Sequence, residues 1–216
     1  MIVNTSDFGT SVPFVASTVT RLKYHAGIEQ REHMHLIFLH GVPGVGKRTI
    51  ARELAVELGF PFVDFQNLTQ LLGPVFGYNS STFGSLRNDA CKQILEAAMA
   101  LPEDGLIASF TYDQHVDLEQ YGAFIAAARE SGGIGLFVGL TCDDDELKGR
   151  VVDPDRRSSR TSDLDAMEDD LGNDDAGSVE LPGPSIEINT TGETPEHTVQ
   201  NILAMLPDDM KGNISF

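Results

Sequence analysis

The residues Gly41-Val42-Pro43-Gly44-Val45-Gly46-Lys47 fit the pattern G-x-x-x-x-G-K. Glycine lets a backbone curl until several N–H groups point into one hollow, and such a hollow suits phosphate oxygens. A helix that begins where the loop ends turns its positive pole to the same place. Lysine adds a mobile point charge for the terminal phosphates of a nucleotide. The spacing therefore predicts a phosphate cradle made of Gly41, Val42, Pro43, Gly44, Val45, Gly46 and Lys47, with Arg48 and Thr49 opening the helix behind it. Just after the lysine such loops carry Ser or Thr, whose hydroxyl ligates Mg²⁺. Here the residue is Arg48, and a guanidinium has no lone pair for a metal. Three arrangements stay open: Mg²⁺ held by phosphates, water and a remote acid; Thr49 shifted to serve it; or impaired catalysis. The first ranks highest, because Mg²⁺ keeps several waters in such sites.

These residues need rigid elements to hold them, and the apolar periodicity supplies candidates. His35–His40 reads as a buried strand running into the loop, and Ile50, Leu54 and Leu58, with Ala51 and Ala55, mark one face of the helix after it. Phe60–Phe65 reads as a second strand, followed by a short helix over 67–72 and a glycine-rich loop to Gly84. Leu86, Ala90, Ile94, Ala97, Ala98 and Leu101 predict one face of a longer helix. Strands at Gly105–Thr111, Gly135–Leu140 and Ser185–Asn189 alternate with helices at Val116–Arg129, Asp143–Val151 and from Pro195, where Val199, Ile202, Leu203 and Leu206 recur. Strand–helix alternation implies right-handed crossovers and a parallel sheet covered on both faces, with ligands at the carboxyl ends of the strands. Residues 1–34 read as a loosely ordered lead, 35–207 as the domain and 208–216 as a tail. A polar segment over about 152–182 carries a basic cluster and then an acidic tract.

Bulk properties narrow the function. The chain has 216 residues, enough for one sizeable α/β domain, and a formal net charge of −18. Such a field repels DNA and RNA, so nucleic acid is not an expected partner. No apolar stretch approaches the ~20 residues that span a bilayer, and the N-terminus lacks the layout of a secretory signal. Cys91 and Cys142 are too few for a disulfide scaffold and lack metal-site spacing, so they read as reduced thiols in the cytoplasm. The acidic runs 143–146 and 168–175 read as solvated faces.

With these stretches in order, the sequence resembles the small P-loop kinases: shikimate-kinase-like, adenylate-kinase-like and chloramphenicol-phosphotransferase-like proteins, and most of all the AAA-domain, small-molecule-kinase-like ATPases. The likeness covers roughly residues 35–206. It rests on the loop, on Asn67-Leu68-Thr69, on Leu106–Tyr112, on Leu140-Thr141-Cys142, on Arg156-Arg157 and on Ile188–Gly192. The resemblance implies an α/β three-layer fold with a five-stranded parallel sheet, ATP and Mg²⁺ as cofactors, and a lid whose cations would be Arg156, Arg157 and Arg160, unless these only balance Asp153, Asp155, Asp163 and Asp165 around them. It places Asp64, at the end of the second strand, as general base or magnesium-orienting acid, the plain alternative being a strand-end aspartate that caps the next helix. It also sets Asn189, Thr190 and Thr191 beside the adenine. Such proteins often have histidine next to the Asp64 turn, whereas this chain has Phe65-Gln66-Asn67.

Asp113, just past the third strand, is a candidate for the missing metal ligand or else a plain loop aspartate. Arg87 reads as an exposed surface arginine in preference to a substrate anchor. His115 and His197 read as ordinary loop and helix-start residues. A motor ATPase is disfavoured because no apolar strand ends in an acidic pair, and a GTPase because no Asn-Lys-x-Asp follows a late strand. Two readings survive: a kinase acting on a small hydroxyl-bearing phosphate acceptor as monomer or homodimer, and a nucleotide-sensing module with little chemistry.

Overall fold

The structure is a computed structural model and describes residues 33–101, 103–111, 116–152 and 180–207. Asp113, His115, Arg156, Arg157, Arg160, nearly all of the 152–182 segment, the acidic run 168–175, residues 1–32 and the 208–216 tail lie outside the described residues.

Among the described residues five parallel strands form one sheet: β1 (His35–Gly41), β2 (Phe62–Asp64), β3 (Gly105–Ser109), β4 (Gly135–Thr141) and β5 (Ser185–Asn189), in the spatial order β2-β3-β1-β4-β5. β1 lies at the centre, with Leu36 opposite Leu106 on β3 and Gly135 on β4. Among the described residues six helices connect and cover the strands: α1 (Lys47–Leu58), α2 (Gln66–Phe76), α3 (Ser81–Met99), α4 (Leu118–Glu130), α5 (Asp144–Val152) and α6 (Pro195–Met205).

The continuous apolar run of β1 follows from burial on both faces. Ile37 and Leu39 join α1 and α6 through Ile50, Leu54, Leu58, Val199 and Ile202. Leu36 and Phe38 turn to the other face, against Cys91 and Leu95 of α3 and Tyr121 and Ile125 of α4. Leu36, Ile37, Phe38 and Leu39 have no exposed surface at all, and each such side chain stabilises the fold by about 1.5–3 kcal/mol. Just ahead of β1, Met34 is buried in the second cluster, and its N–H donates to Ser131 Oγ at 3.2 Å.

Two elements depart from the expected pattern. α3 starts at Ser81 rather than after Gly84, because Ser80 Oγ accepts from Phe83 N at 3.1 Å and caps the helix there. Its buried face is Phe83, Gly84, Arg87, Cys91 and Leu95, one position on from the apolar series Leu86, Ala90 and Ile94, and Leu86 is exposed. The series missed the true face because an arginine occupies it. α2 also runs further than expected, through Pro74 to Phe76.

Candidate active site

The loop after β1 is tightly curled. Gly41 adopts φ 145°, and a Cβ there would lie 2.4 Å from the Leu140 carbonyl oxygen, so only glycine fits. Gly46 begins α1 in the left-handed region at φ 105°, and no side chain caps that helix. An uncapped helix start is the arrangement in which a bound anion acts as the cap. Lys47 Nζ folds back over the loop and donates to Gly41 O at 2.8 Å and Val42 O at 2.9 Å. Val45 is fully buried and anchors the loop to the core.

A cavity of about 70 Å³ opens here, lined among others by Gly44, Gly46, Lys47, Arg48, Asp64 and Ser109. The parallel register makes this convergence: Asp64 pairs with Ser109 across the ends of β2 and β3, next to the end of β1. Asp64 Oδ1 accepts from Gln66 N at 3.0 Å and Ser109 Oγ at 3.2 Å. Its Oδ2 accepts from Arg48 Nε at 2.5 Å. The carboxylate is only 8% exposed. Arg48 Nη2 donates to Asn67 Oδ1 at 2.5 Å, so the guanidinium is held at two points. Sequence reasoning placed Arg48 and Asp64 in the site separately and missed that they pair.

His40, the last side chain before the loop glycine, is buried, stacked on Phe110 with centroids 5.8 Å apart and edge-on to Phe137. Burial, assisted by the Lys47 charge, pulls its pKa down from 6.5 to about 4, so a neutral ring supports the loop at pH 7.

Beside the main cavity lies a smaller recess that shares Gln66 and Thr111 with it and adds Phe65, Arg87 and Tyr121. Arg87 is 5% exposed, with its guanidinium 5.0 Å from the Phe83 ring centre. The expectation of a surface arginine is therefore corrected: α3 turns position 87 inward with Phe83 and Cys91.

On the opposite side of the loop, Asn189 ends β5 and Thr190 and Thr191 follow it into a turn. Their side chains are engaged within the protein. Asn189 Oδ1 accepts from Thr191 N at 2.8 Å, Thr191 Oγ1 accepts from Asp143 N at 2.8 Å, and Thr190 Oγ1 donates to Thr141 O at 3.0 Å. Arg150, which sequence reasoning overlooked, ties this turn to the glycine loop after β1. Nη1 donates to Val45 O at 3.3 Å and Thr190 Oγ1 at 2.9 Å. Nη2 donates to Thr190 O at 2.6 Å and Glu146 Oε1 at 2.5 Å, and Nε to Glu146 Oε1 at 3.0 Å. Glu146 Oε2 in turn accepts from Gly192 N at 2.7 Å. The Glu146–Arg150 spacing of four on one helix was the signal available for it. His197 sits at the start of α6, exposed and paired with Glu193, with no place in the site.

A family model described as an AAA domain matches residues 37–170, from β1 through the loop and beyond α5. The chain belongs to the AAA-domain family. No curated protein matches its sequence. Among solved structures, a sugar kinase from Janibacter sp. HTCC2649 is similar at TM-score 0.56 and 16% identity, over 85% of this chain and 99% of that one. A gluconokinase from Sinorhizobium meliloti 1021 is similar at TM-score 0.51 and 19% identity, over 79% and 90%. A shikimate kinase from Bacteroides thetaiotaomicron is similar at TM-score 0.51 and 18% identity, over 79% and 97%. This AAA-domain chain thus has the fold of P-loop small-molecule kinases, and identities this low speak for fold alone. No described helix is long and apolar enough to cross a membrane.

Kinases of this fold are expected to use Mg²⁺, and the described residues of this AAA-domain protein do not fit a protein-held ion. Arg48 replaces the hydroxyl, its guanidinium covers Asp64 Oδ2, and Thr49 is exposed on α1. Among the described residues no cluster of three His, Cys, Asp or Glu side chains is placed to hold a metal.

Proposed function

We propose that this protein is a small-molecule kinase that moves the γ-phosphoryl group of ATP to a hydroxyl of a small acceptor. The observation that carries the reading is the cavity in which the Lys47 loop and the Asp64 carboxylate face one another, with the Arg87 recess alongside for the acceptor. In the step, the acceptor oxygen bonds to the γ-phosphorus while the bond from that phosphorus to the β–γ bridging oxygen breaks. The electron pair leaves with ADP, and the hydroxyl proton passes to Asp64. Lys47 and the loop N–H groups offset charge on the transferring group. Arg156, Arg157 and Arg160 are proposed as further cations closing over the phosphates, and the Asn189–Thr191 turn as the wall beside the base. Asp113 stays a proposed accessory acid. We place the protein in the cytoplasm, as monomer or homodimer, with no nucleic-acid partner.

The test is transfer from γ-labelled ATP across a panel of sugars, hydroxy acids, nucleosides and nucleotides, with Asp64→Asn as the paired variant. Transfer to one compound by the wild type, abolished in Asp64→Asn with ATP binding retained, supports the reading. Undiminished turnover in Asp64→Asn removes Asp64 as base. A second reading, nucleotide sensing without transfer, is favoured by one observation: the candidate base is hydrogen-bonded to Arg48. ATP binding with no transfer to any acceptor would select it.

A further inference from the structure

We propose that the loop takes its nucleoside triphosphate as the free, metal-less polyanion, with the Arg48 guanidinium as the second cation in the place that other loops of this kind give to a protein-held divalent ion. The inference rests on the nucleotide-binding reading above and deepens it.

Four observations converge. First, Arg48 lines the same cavity as Lys47, Gly44 and Gly46, so two cations border one phosphate-sized space against a single carboxylate, Asp64. Second, the guanidinium is already positioned: Nε on Asp64 Oδ2 and Nη2 on Asn67 Oδ1 fix its plane, so little side-chain freedom remains to be lost when an anion arrives. Third, the two fixed contacts use Nε and Nη2, and a guanidinium is a planar fork of five N–H donors whose geometry matches phosphate oxygens. Fourth, a single residue type both removes the hydroxyl a metal needs and covers the nearest carboxylate oxygen, Asp64 Oδ2. A site that had merely lost its metal ligand would leave Asp64 open, whereas here the acid is turned to holding a replacement charge.

The test is calorimetric titration of wild type with ATP, once with excess Mg²⁺ and once with excess EDTA, repeated with Arg48→Thr and Arg48→Lys after each variant is shown to melt cooperatively. The wild-type dissociation constants should agree within about threefold, a difference under ~0.7 kcal/mol. Arg48→Thr restores the hydroxyl and uncovers Asp64, so it should bind about tenfold or more weakly in EDTA and recover in Mg²⁺. Arg48→Lys keeps charge without the fork and should fall between them. Wild-type binding that weakens by about tenfold or more in EDTA overturns the proposal, whatever the variants do. So does an Arg48→Thr protein that matches wild type in both buffers. If ATP binds in neither buffer, the nucleotide reading itself falls; if it binds only with Mg²⁺, that reading stands and this one alone is lost.

Discussion

Lowering the pH should loosen this protein through His40, and the size of the effect follows from the ring's surroundings. His40 is buried against Phe110 and Phe137, and a Cβ placed on Gly139 would come 3.0 Å from its Cε1, so the ring is closely packed. Its folded-state pKa is lowered to about 4, by burial first and by Lys47 second, from an ordinary value of 6.5. Below 6.5 the unfolded chain takes up a proton that the folded ring refuses, so stability falls as pH drops. The loss continues until the folded ring also protonates near 4. Between pH 7 and pH 5 this linkage costs about 2 kcal/mol, out of a full gap of roughly 3 kcal/mol. Urea unfolding of wild type and His40→Leu at both pH values measures it. Glu53 and Glu196, whose carboxyls are also shifted, are common to both proteins and cancel. The variant should lose about 2 kcal/mol less than wild type over the interval. Equal losses in the two proteins would refute the reasoning that His40 stays neutral in the fold.

Lys47→Ala should weaken ATP binding by ~1.5–3 kcal/mol, roughly 10- to 150-fold, measured by titration calorimetry; unchanged affinity would remove Lys47 from the phosphate site. Gly41→Ala combines a left-handed backbone with a Cβ against the Leu140 carbonyl, and should lower stability by ~2 kcal/mol or more in chemical denaturation. Arg150→Ala removes five donors from the link between the Val45 carbonyl, Glu146 and the Thr190 turn. It should destabilise by ~1–3 kcal/mol and speed amide exchange at Thr190–Gly192, and exchange unchanged there would show that the turn holds itself.

What could be read from the chain was what depends on neighbours in sequence. The glycine loop between strand and helix, the buried β1 and the α1 face of Ile50, Leu54 and Leu58 are all local patterns, and each element lies where its spacing put it. The α3 face was misplaced by one position because Arg87 breaks the apolar series it belongs to. Asp64 was legible as a strand-end acid, but its bond to Arg48 was not. That contact joins α1 to the end of β2, and nothing in either segment alone announces the other. Arg150 was hidden for the same reason, since its partners come from the loop after β1 and the turn after β5.

The central position of β1 bears on how the chain is made. β1 leaves the ribosome first of the described strands, yet its partners are β3, about 70 residues later, and β4, about 100 residues later. At a synthesis rate of ~5–20 residues per second, its wholly apolar Leu36–Leu39 core waits several seconds for the first of them. Until β3 emerges, that strand is an open edge able to pair with another nascent chain, so the protein's yield in a cell should respond to holdase chaperones and to translation speed between β1 and β3.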